Sequence, residues 1–257
     1  MSHADEAAKT RWRIVRIVCI ILLILALLTA AGIYLLPRLT RHIVPTVPTE
    51  SDPGSDPVER VENPIDFAAL RETEPDVVGW IRIPGTVIDY EIMRSGKDVE
   101  ESFYLHHAPD RSYRYSGSIY MQRLNMADFS DPNTVLYGHY MKDGSMFADL
   151  HQFRKEKFFA EHEYIYVYTP GHILTYRIYS AFVYDNRHIL NSFEFSDPVE
   201  YGEFLEQTLH PTSMKRQVRD GVSVTTDDRI LTLSTCTTRS SERYLVEGVL
   251  IHDQLTY

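Results

Sequence analysis

Cys236 is the residue whose type and position most directly suggest chemistry. It ends a predicted strand over residues 230–236, a Thr- and Leu-rich run too short for a typical helix, and a polar loop over residues 237–242 follows. A thiol at a strand end is held by a rigid scaffold yet is open to a substrate. Its thiolate is the nucleophilic form, and a thiol of pKa about 8.5 is mostly protonated at neutral pH. Activation therefore needs a nearby base or cation.

Histidine is the residue type that could supply the base. His139 follows the predicted strand 134–137 and precedes the turn signal Lys142-Asp143-Gly144, so it also lies where a strand runs into a loop. His106 and His107 are second choices, in a loop. For every histidine of the chain, a solvated or locally hydrogen-bonded side chain is the alternative interpretation.

Two arginines follow Cys236 and could stabilise an oxyanion. Arg243 directly precedes Tyr244, at the head of the predicted last strand, 244–252. If that strand runs antiparallel to residues 230–236, the loop returns Arg243 to the neighbourhood of Cys236. Arg239 lies in the loop tip and is predicted to be solvated. The residues alone thus permit a Cys–His–Arg site, while a small buried thiol and a surface arginine remain the alternatives.

The composition limits the classes of protein to which the chain can belong. Its 257 residues suffice for one ordinary domain with extra segments, and a net charge of -10 argues against a general nucleic-acid binder. The second of the two cysteines, Cys19, lies in a hydrophobic segment, so Cys236 is predicted to be unpaired. Glycine-rich phosphate loops, CxxC pairs and metal-ligand clusters are absent from the sequence, so we predict no cofactor and no metal.

The N-terminal quarter of the chain is predicted to anchor it in a membrane. Residues 1–13 form a polar tail, and residues 14–36 an apolar span whose last 20 residues carry no charge, enough to cross ~30 Å of hydrocarbon as a helix. A cleaved signal peptide is the alternative. Lys and Arg are more frequent before the span than after it, which predicts a cytoplasmic N-terminus and an extracellular remainder. Residues 37–62 are Pro-rich and predict an extracellular stalk.

Residues 63–257 are predicted to form the folded domain. Strands are predicted at 77–83, 87–92, 118–121, 134–137, 164–168, 174–184, 230–236 and 244–252. Helices are predicted at 63–70, 146–162 and 198–209. Many short strands with a few inserted helices favour a mainly β (α+β) fold, a closed or half-closed β-barrel.

Several motifs in this domain resemble those of the sortases. Leu-Ser-Thr-Cys at 233–236, followed seven positions later by Arg243, is similar to the sortase signature. Residues 137–147, Tyr-Gly-His-Tyr-Met-Lys-Asp-Gly-Ser-Met-Phe, resemble the histidine motif of class B sortases, in which Asn usually stands at the place of Tyr140. The segments 77–81, 83–86 and 117–120 are similar to the same class. The resemblance extends from residue 63 to the C-terminus.

The resemblance implies a fold and a reaction. The expected fold is a sortase-like closed β-barrel with an N-terminal helix and an extra helix, at 198–209, between two late barrel strands. The expected protein is a membrane-anchored cysteine transpeptidase in which Cys236 attacks a Thr carbonyl in the C-terminal sorting signal of an exported protein. Arg243 would stabilise the oxyanion, and His139 would protonate the leaving amine and deprotonate the incoming one. The acceptor would be an amino group of a peptidoglycan precursor or of a pilin.

The resemblance also leaves finer points open. Ser192, before the extra helix, is expected to line the substrate groove. Thr237 stands where some class B members carry an acidic residue, so a role for that acid does not transfer to this chain. Two alternative functions remain, namely a membrane-anchored cysteine protease that uses water as acceptor and a non-catalytic surface-binding module.

Overall fold

A closed β-barrel forms the centre of the protein, whose computed structural model describes residues 59–257. The strands are β1 (Val77–Arg82), β2 (Asp89–Arg94), β3 (Ile119–Met121), β4 (Asn133–Gly138), β5 (Tyr164–Thr169), β6 (His172–Asp185), β7 (Gln217–Val218), β8 (Ile230–Cys236) and β9 (Glu242–Leu255). Their order is β5-β1-β2-β3-β4-β8-β9-β6, and pairing of β6 with β5 closes the ring. The short β7 pairs with β6 outside it. The predicted closed barrel is confirmed.

The described residues also form four α-helices and two 3₁₀ helices. They are α1 (Phe67–Thr73), the 3₁₀ helix Phe103–Leu105, the 3₁₀ helix Ala148–Arg154, α2 (Glu156–Glu161), α3 (Ile189–Ser192) and α4 (Pro198–Leu209). Helix α4 has the boundaries predicted from the sequence, because Asp197 accepts hydrogen bonds from the first free amides and Pro198 fits the first turn. It lies between β6 and β8 in the chain, as expected for the extra helix.

The predicted helix 146–162 is wrong as a single element. Phe147, Leu150 and Phe153 recur every three residues and are fully buried, a spacing that matches the three residues per turn of a 3₁₀ helix. Lys155 then takes an extended conformation, with ψ of 121°, and separates the 3₁₀ helix from α2. The apolar residues indicated a helical segment correctly but not its type or its break.

Side-chain alternation along β8 separates the barrel interior from its outer face. Leu231 and Leu233 belong to the main core inside the barrel. Thr232, Ser234 and Cys236 point the other way because successive strand residues face opposite sides. On that outer side, residues of α4 and of the neighbouring strands form a second apolar cluster. Cys236 therefore lies on the outer face of the barrel, at the end of β8 and on the side that carries the second apolar cluster.

The predicted N-terminal tail (1–13) and membrane anchor (14–36) lie outside the described residues, as does the stalk (37–62) up to residue 58. Among the helices within residues 59–257, none has the length and apolar character needed to span a bilayer. The described chain joins the barrel at Val61, whose amide donates to Leu255 and whose carbonyl accepts from Tyr257, both at 3.1 Å.

Candidate active site

Cys236, His139 and Arg243 lie at the ends of three adjacent strands. Strands β4 and β8 run parallel, and their last pair is Gly138 with Thr235, so His139 and Cys236 each follow it directly. Strands β8 and β9 are antiparallel, and Arg243 is the register partner of Cys236. Residues 230–236 and the last strand are thus antiparallel, which is the condition under which the sequence places Arg243 near Cys236.

A cavity of about 250 Å³ opens between these strand ends and is lined by Cys236, His139 and Arg243 together. Tyr120 and Tyr137 also line it, as does the segment 184–189, which includes the end of β6 and the residues that follow it. Burial raises the pKa of Tyr120 to about 12, an effect to which the nearby Cys236 adds and which Arg243 opposes. The phenol therefore stays neutral beside the thiol.

The Cys236 thiol is free and exposed, whereas its backbone is firmly held. The preceding Thr235 is buried and donates its hydroxyl proton to the Gly138 carbonyl at 2.8 Å, which ties β8 to β4 next to Cys236. The carbonyl of Cys236 itself accepts a hydrogen bond from Nε2 of His151 at 2.9 Å. The sulfur is thus presented to the cavity on a fixed backbone.

His139 is half-buried and oriented by one hydrogen bond. Its Nε2 lies 2.9 Å from the Leu105 carbonyl, and because a carbonyl only accepts, Nε2 carries the proton. In the neutral ring, Nδ1 is then the basic nitrogen. Burial lowers the pKa of His139, the neighbouring His106 lowers it further, and the bond to Leu105 opposes both.

The ring of His139 is also supported by its neighbours. Tyr115 is nearly parallel to it, at 11° and 5.9 Å between centroids, and His106 lies at 5.4 Å. Close packing extends to the backbone before it, since a Cβ at Gly138 would lie 2.5 Å from Ile119 and 2.7 Å from Phe147. A glycine is required there for β4 to approach the core closely enough to place His139.

Arg243 lines the cavity, and among residues 59–257 no carboxylate forms an ion pair with its guanidinium. Its Nη1 donates to the carbonyls of Ser240 at 3.1 Å and Glu242 at 2.9 Å. The carboxylate of Glu242 pairs with Arg239 instead, at 2.9 Å. A cation held by carbonyl oxygens and not by a carboxylate can receive a developing negative charge.

The other predicted residues lie farther from the cavity. Ser192 is exposed on α3 and donates its hydroxyl proton to the His188 carbonyl at 2.8 Å; His188 and Ile189 line the cavity, and Ser192 does not. Arg239 is exposed, in keeping with its predicted solvation. Within residues 59–257, no cluster of three or more His, Cys, Asp or Glu is suited to a metal ion.

Sequence reasoning missed the contact of His151 with the Cys236 carbonyl. His151 falls within the predicted helix 146–162, and its local pattern gives no other signal. The contact joins residues 85 positions apart, so it arises only from the packing of the 3₁₀ helix Ala148–Arg154 against the strand ends.

Comparison with known proteins agrees with this geometry. The sortase domain family model matches residues 81–251. The chain is 34% identical to sortase B of Listeria monocytogenes over 188 residues, which are 71% of this chain and 72% of that protein. The structure of Clostridium perfringens sortase B superposes with a TM-score of 0.64 at 32% identity, covering 72% of this chain and 99% of the other. A Staphylococcus aureus sortase B–substrate complex gives a TM-score of 0.63 at 30% identity, covering 72% and 84%.

Proposed function

Because this chain belongs to the sortase family of cysteine transpeptidases, we propose that it cleaves the C-terminal sorting signal of an exported protein at a Thr carbonyl and transfers the product to an amino group. The observation that carries the proposal is the convergence of Cys236, His139 and Arg243 on one cavity from three neighbouring strand ends. These residue types supply a nucleophile, a proton carrier and an oxyanion partner.

The first half of the reaction forms a thioester. The Cys236 thiolate attacks the Thr carbonyl carbon, and the Arg243 guanidinium stabilises the negative charge that develops on the carbonyl oxygen. As the C–N bond breaks, protonated His139 donates the proton from Nδ1 to the leaving amine, while Nε2 stays bonded to Leu105. The exported protein remains attached to the Cys236 sulfur.

The second half transfers the acyl group. An acceptor amine attacks the thioester carbonyl, neutral His139 takes its proton at Nδ1, and the Cys236 thiolate leaves. We propose a peptidoglycan precursor as the acceptor, in line with the cell-wall anchoring typical of the family. A pilin amine is the alternative acceptor. The Staphylococcus aureus relative was solved as a substrate complex, which supports a peptide-like substrate for this chain.

The sortase family is associated with the cell surface, and we propose that this member is held there by a single membrane span at residues 14–36. The uncharged stretch within 17–36 and the excess of basic residues before it support this proposal. The N-terminus would then be cytoplasmic, residues 37–62 would act as a spacer, and residues 63–257 would be extracellular.

A transfer assay tests the proposal. The purified full-length protein is incubated with a pool of sorting-signal peptides, with and without an amine acceptor, beside the variant Cys236→Ala. We expect an amide-linked product that requires both the amine and Cys236. Cleavage that ignores the amine would favour the protease that uses water, and no cleavage of any peptide would favour the non-catalytic module.

A further inference from the structure

A side chain donates a hydrogen bond to the carbonyl of Cys236, whose strand β8 still pairs with β9 at this residue. The paired register of β4 and β8 ends at Thr235, one residue before Cys236. His151, on the 3₁₀ helix Ala148–Arg154, donates from Nε2 to the Cys236 carbonyl at 2.9 Å. Because that oxygen only accepts, the bond fixes the ring's tautomer as well as the peptide plane that follows the nucleophile.

The His151 ring packs against two tyrosine rings, of which Tyr140 is tilted by 49° to it. The centroid of Tyr140 is 4.3 Å away, and that of Tyr244 is 5.1 Å away, at 23° between planes. The Arg154 guanidinium carbon lies 4.7 Å from the centroid of Tyr244. We call the three rings of Tyr140, His151 and Tyr244 the aromatic stack.

The aromatic stack touches all three strand ends of the site. Tyr140 directly follows His139, Tyr244 directly follows Arg243, and His151 binds the backbone of Cys236. Tyr244 is fully buried, whereas Tyr140 is 40% exposed, so the stack runs from the core to the surface. Tyr140 is also the residue at which this chain departs from the usual class B motif, and its ring packs directly on His151.

We propose that His151 is a positioning residue for the transfer reaction, acting through the Cys236 carbonyl and the aromatic stack to keep the nucleophile aligned with His139 and Arg243. This inference rests on the proposed function. Alignment matters because an error of about 1 Å in a reacting group can cost on the order of 100-fold in rate. Without the bond, the Cys236 carbonyl loses the hydrogen bond that His151 donates, and the peptide unit after Cys236 is held less firmly.

Two variants separate the hydrogen bond from the stacking. His151→Phe keeps an aromatic ring and removes the donor, whereas His151→Gln places an amide N–H near the position of Nε2. His210→Gln is a matched control, because His210 is exposed at the end of α4. We expect kcat for peptide transfer to fall about 3- to 10-fold in His151→Phe, with KM unchanged, and to stay within about 2-fold of wild type in His151→Gln.

The rate at which a small uncharged reagent alkylates Cys236, followed by mass spectrometry, would change if a variant had a general structural defect. Alkylation needs the thiol but not its alignment with the other two residues, so its rate should match wild type in both variants. Equal kcat in His151→Phe and wild type, an equal loss in His151→Gln, or a parallel fall in alkylation would each overturn the positioning role. A wild-type protein that transfers no peptide would overturn the proposed function as well.

Discussion

Replacing Glu247 with Gln is expected to remove a loss of stability that the wild-type protein shows as the pH rises. Glu247 is fully buried on β9, opposite Thr232 on β8. The Thr232 hydroxyl lies 2.7 Å from Oε2 of Glu247 and 2.9 Å from Oδ1 of Asn133 on β4. The Thr232 hydroxyl has one proton and cannot donate to both oxygens. If Glu247 is protonated and donates to the Thr232 oxygen, the Thr232 proton is left for Asn133, and all three side chains are hydrogen-bonded.

The magnitude follows from the pKa. Burial raises the pKa of Glu247 from 4.5 to about 8, so between these values the folded protein holds a proton that the unfolded chain releases. Stability is therefore lost as the pH rises through this window and levels off above it. At about 1.4 kcal/mol per unit, the loss between about pH 5 and about pH 8 is roughly 3.5 kcal/mol.

The assay is urea unfolding of the full-length protein at both pH values. Glu247→Gln should show nearly equal free energies of unfolding at the two pH values, once the pH dependence contributed by other titrating groups is subtracted. Glu203→Gln changes an exposed residue of α4 and should behave as wild type. Comparing variants is essential because the lowered pKa values of His139 and His151 act in the opposite direction, reducing stability as the pH falls below about 6.5.

Parallel pH dependence in wild type and Glu247→Gln would refute this reasoning. It would mean that Glu247 is ionised in the folded protein, with the amide of Asn133 turned to donate to Thr232. The two arrangements differ by one proton, so the difference between the two stability curves separates them directly.

Three further changes have definite expected outcomes. Arg243→Lys should lower kcat for peptide cleavage by roughly 100-fold, because an ammonium cannot reproduce the guanidinium fork; an unchanged kcat would exclude an oxyanion role. Gly117→Ala should lower the free energy of unfolding by about 1–3 kcal/mol more than the control Gly144→Ala. Both glycines have positive φ, but only at Gly117 would a Cβ overlap neighbouring atoms, the carbonyls of Tyr104 and Leu105. His106→Ala should raise the pKa of His139 in an NMR titration, because a neighbour that lowers it is removed; a fall would contradict that origin.

Local patterns were sufficient to predict the strand ends that carry the site. Alternation and turn signals indicated β4, β8 and β9, and the short loop between β8 and β9 made their antiparallel pairing foreseeable. On the condition of that pairing, the sequence placed Arg243 near Cys236, while a surface arginine remained the alternative. Helix α4 was equally predictable, because its start is encoded by Asp197 and Pro198.

Contacts distant in the chain could not be predicted from local patterns. The parallel pairing of β4 with β8 brings His139 beside Cys236, and only the closure of the barrel determines that register. For the same reason, sequence periodicity could not predict two contacts of the site. These are the bond of His139 to the Leu105 carbonyl and the bond of His151 to the Cys236 carbonyl. The resemblance to class B sortases selected His139 among eleven histidines, where spacing alone left alternatives open.

The central claim is that Cys236 forms a thioester with the substrate, and intact-mass spectrometry tests it most directly. The full-length protein is mixed with the pool of sorting-signal peptides without an amine and quenched in acid. We predict a mass increase equal to the N-terminal part of a cleaved peptide, located on the proteolytic fragment that contains Cys236, lost on addition of an amine and absent from Cys236→Ala. Cleavage of a peptide with no adduct on Cys236, or an adduct that persists in Cys236→Ala, would contradict the account.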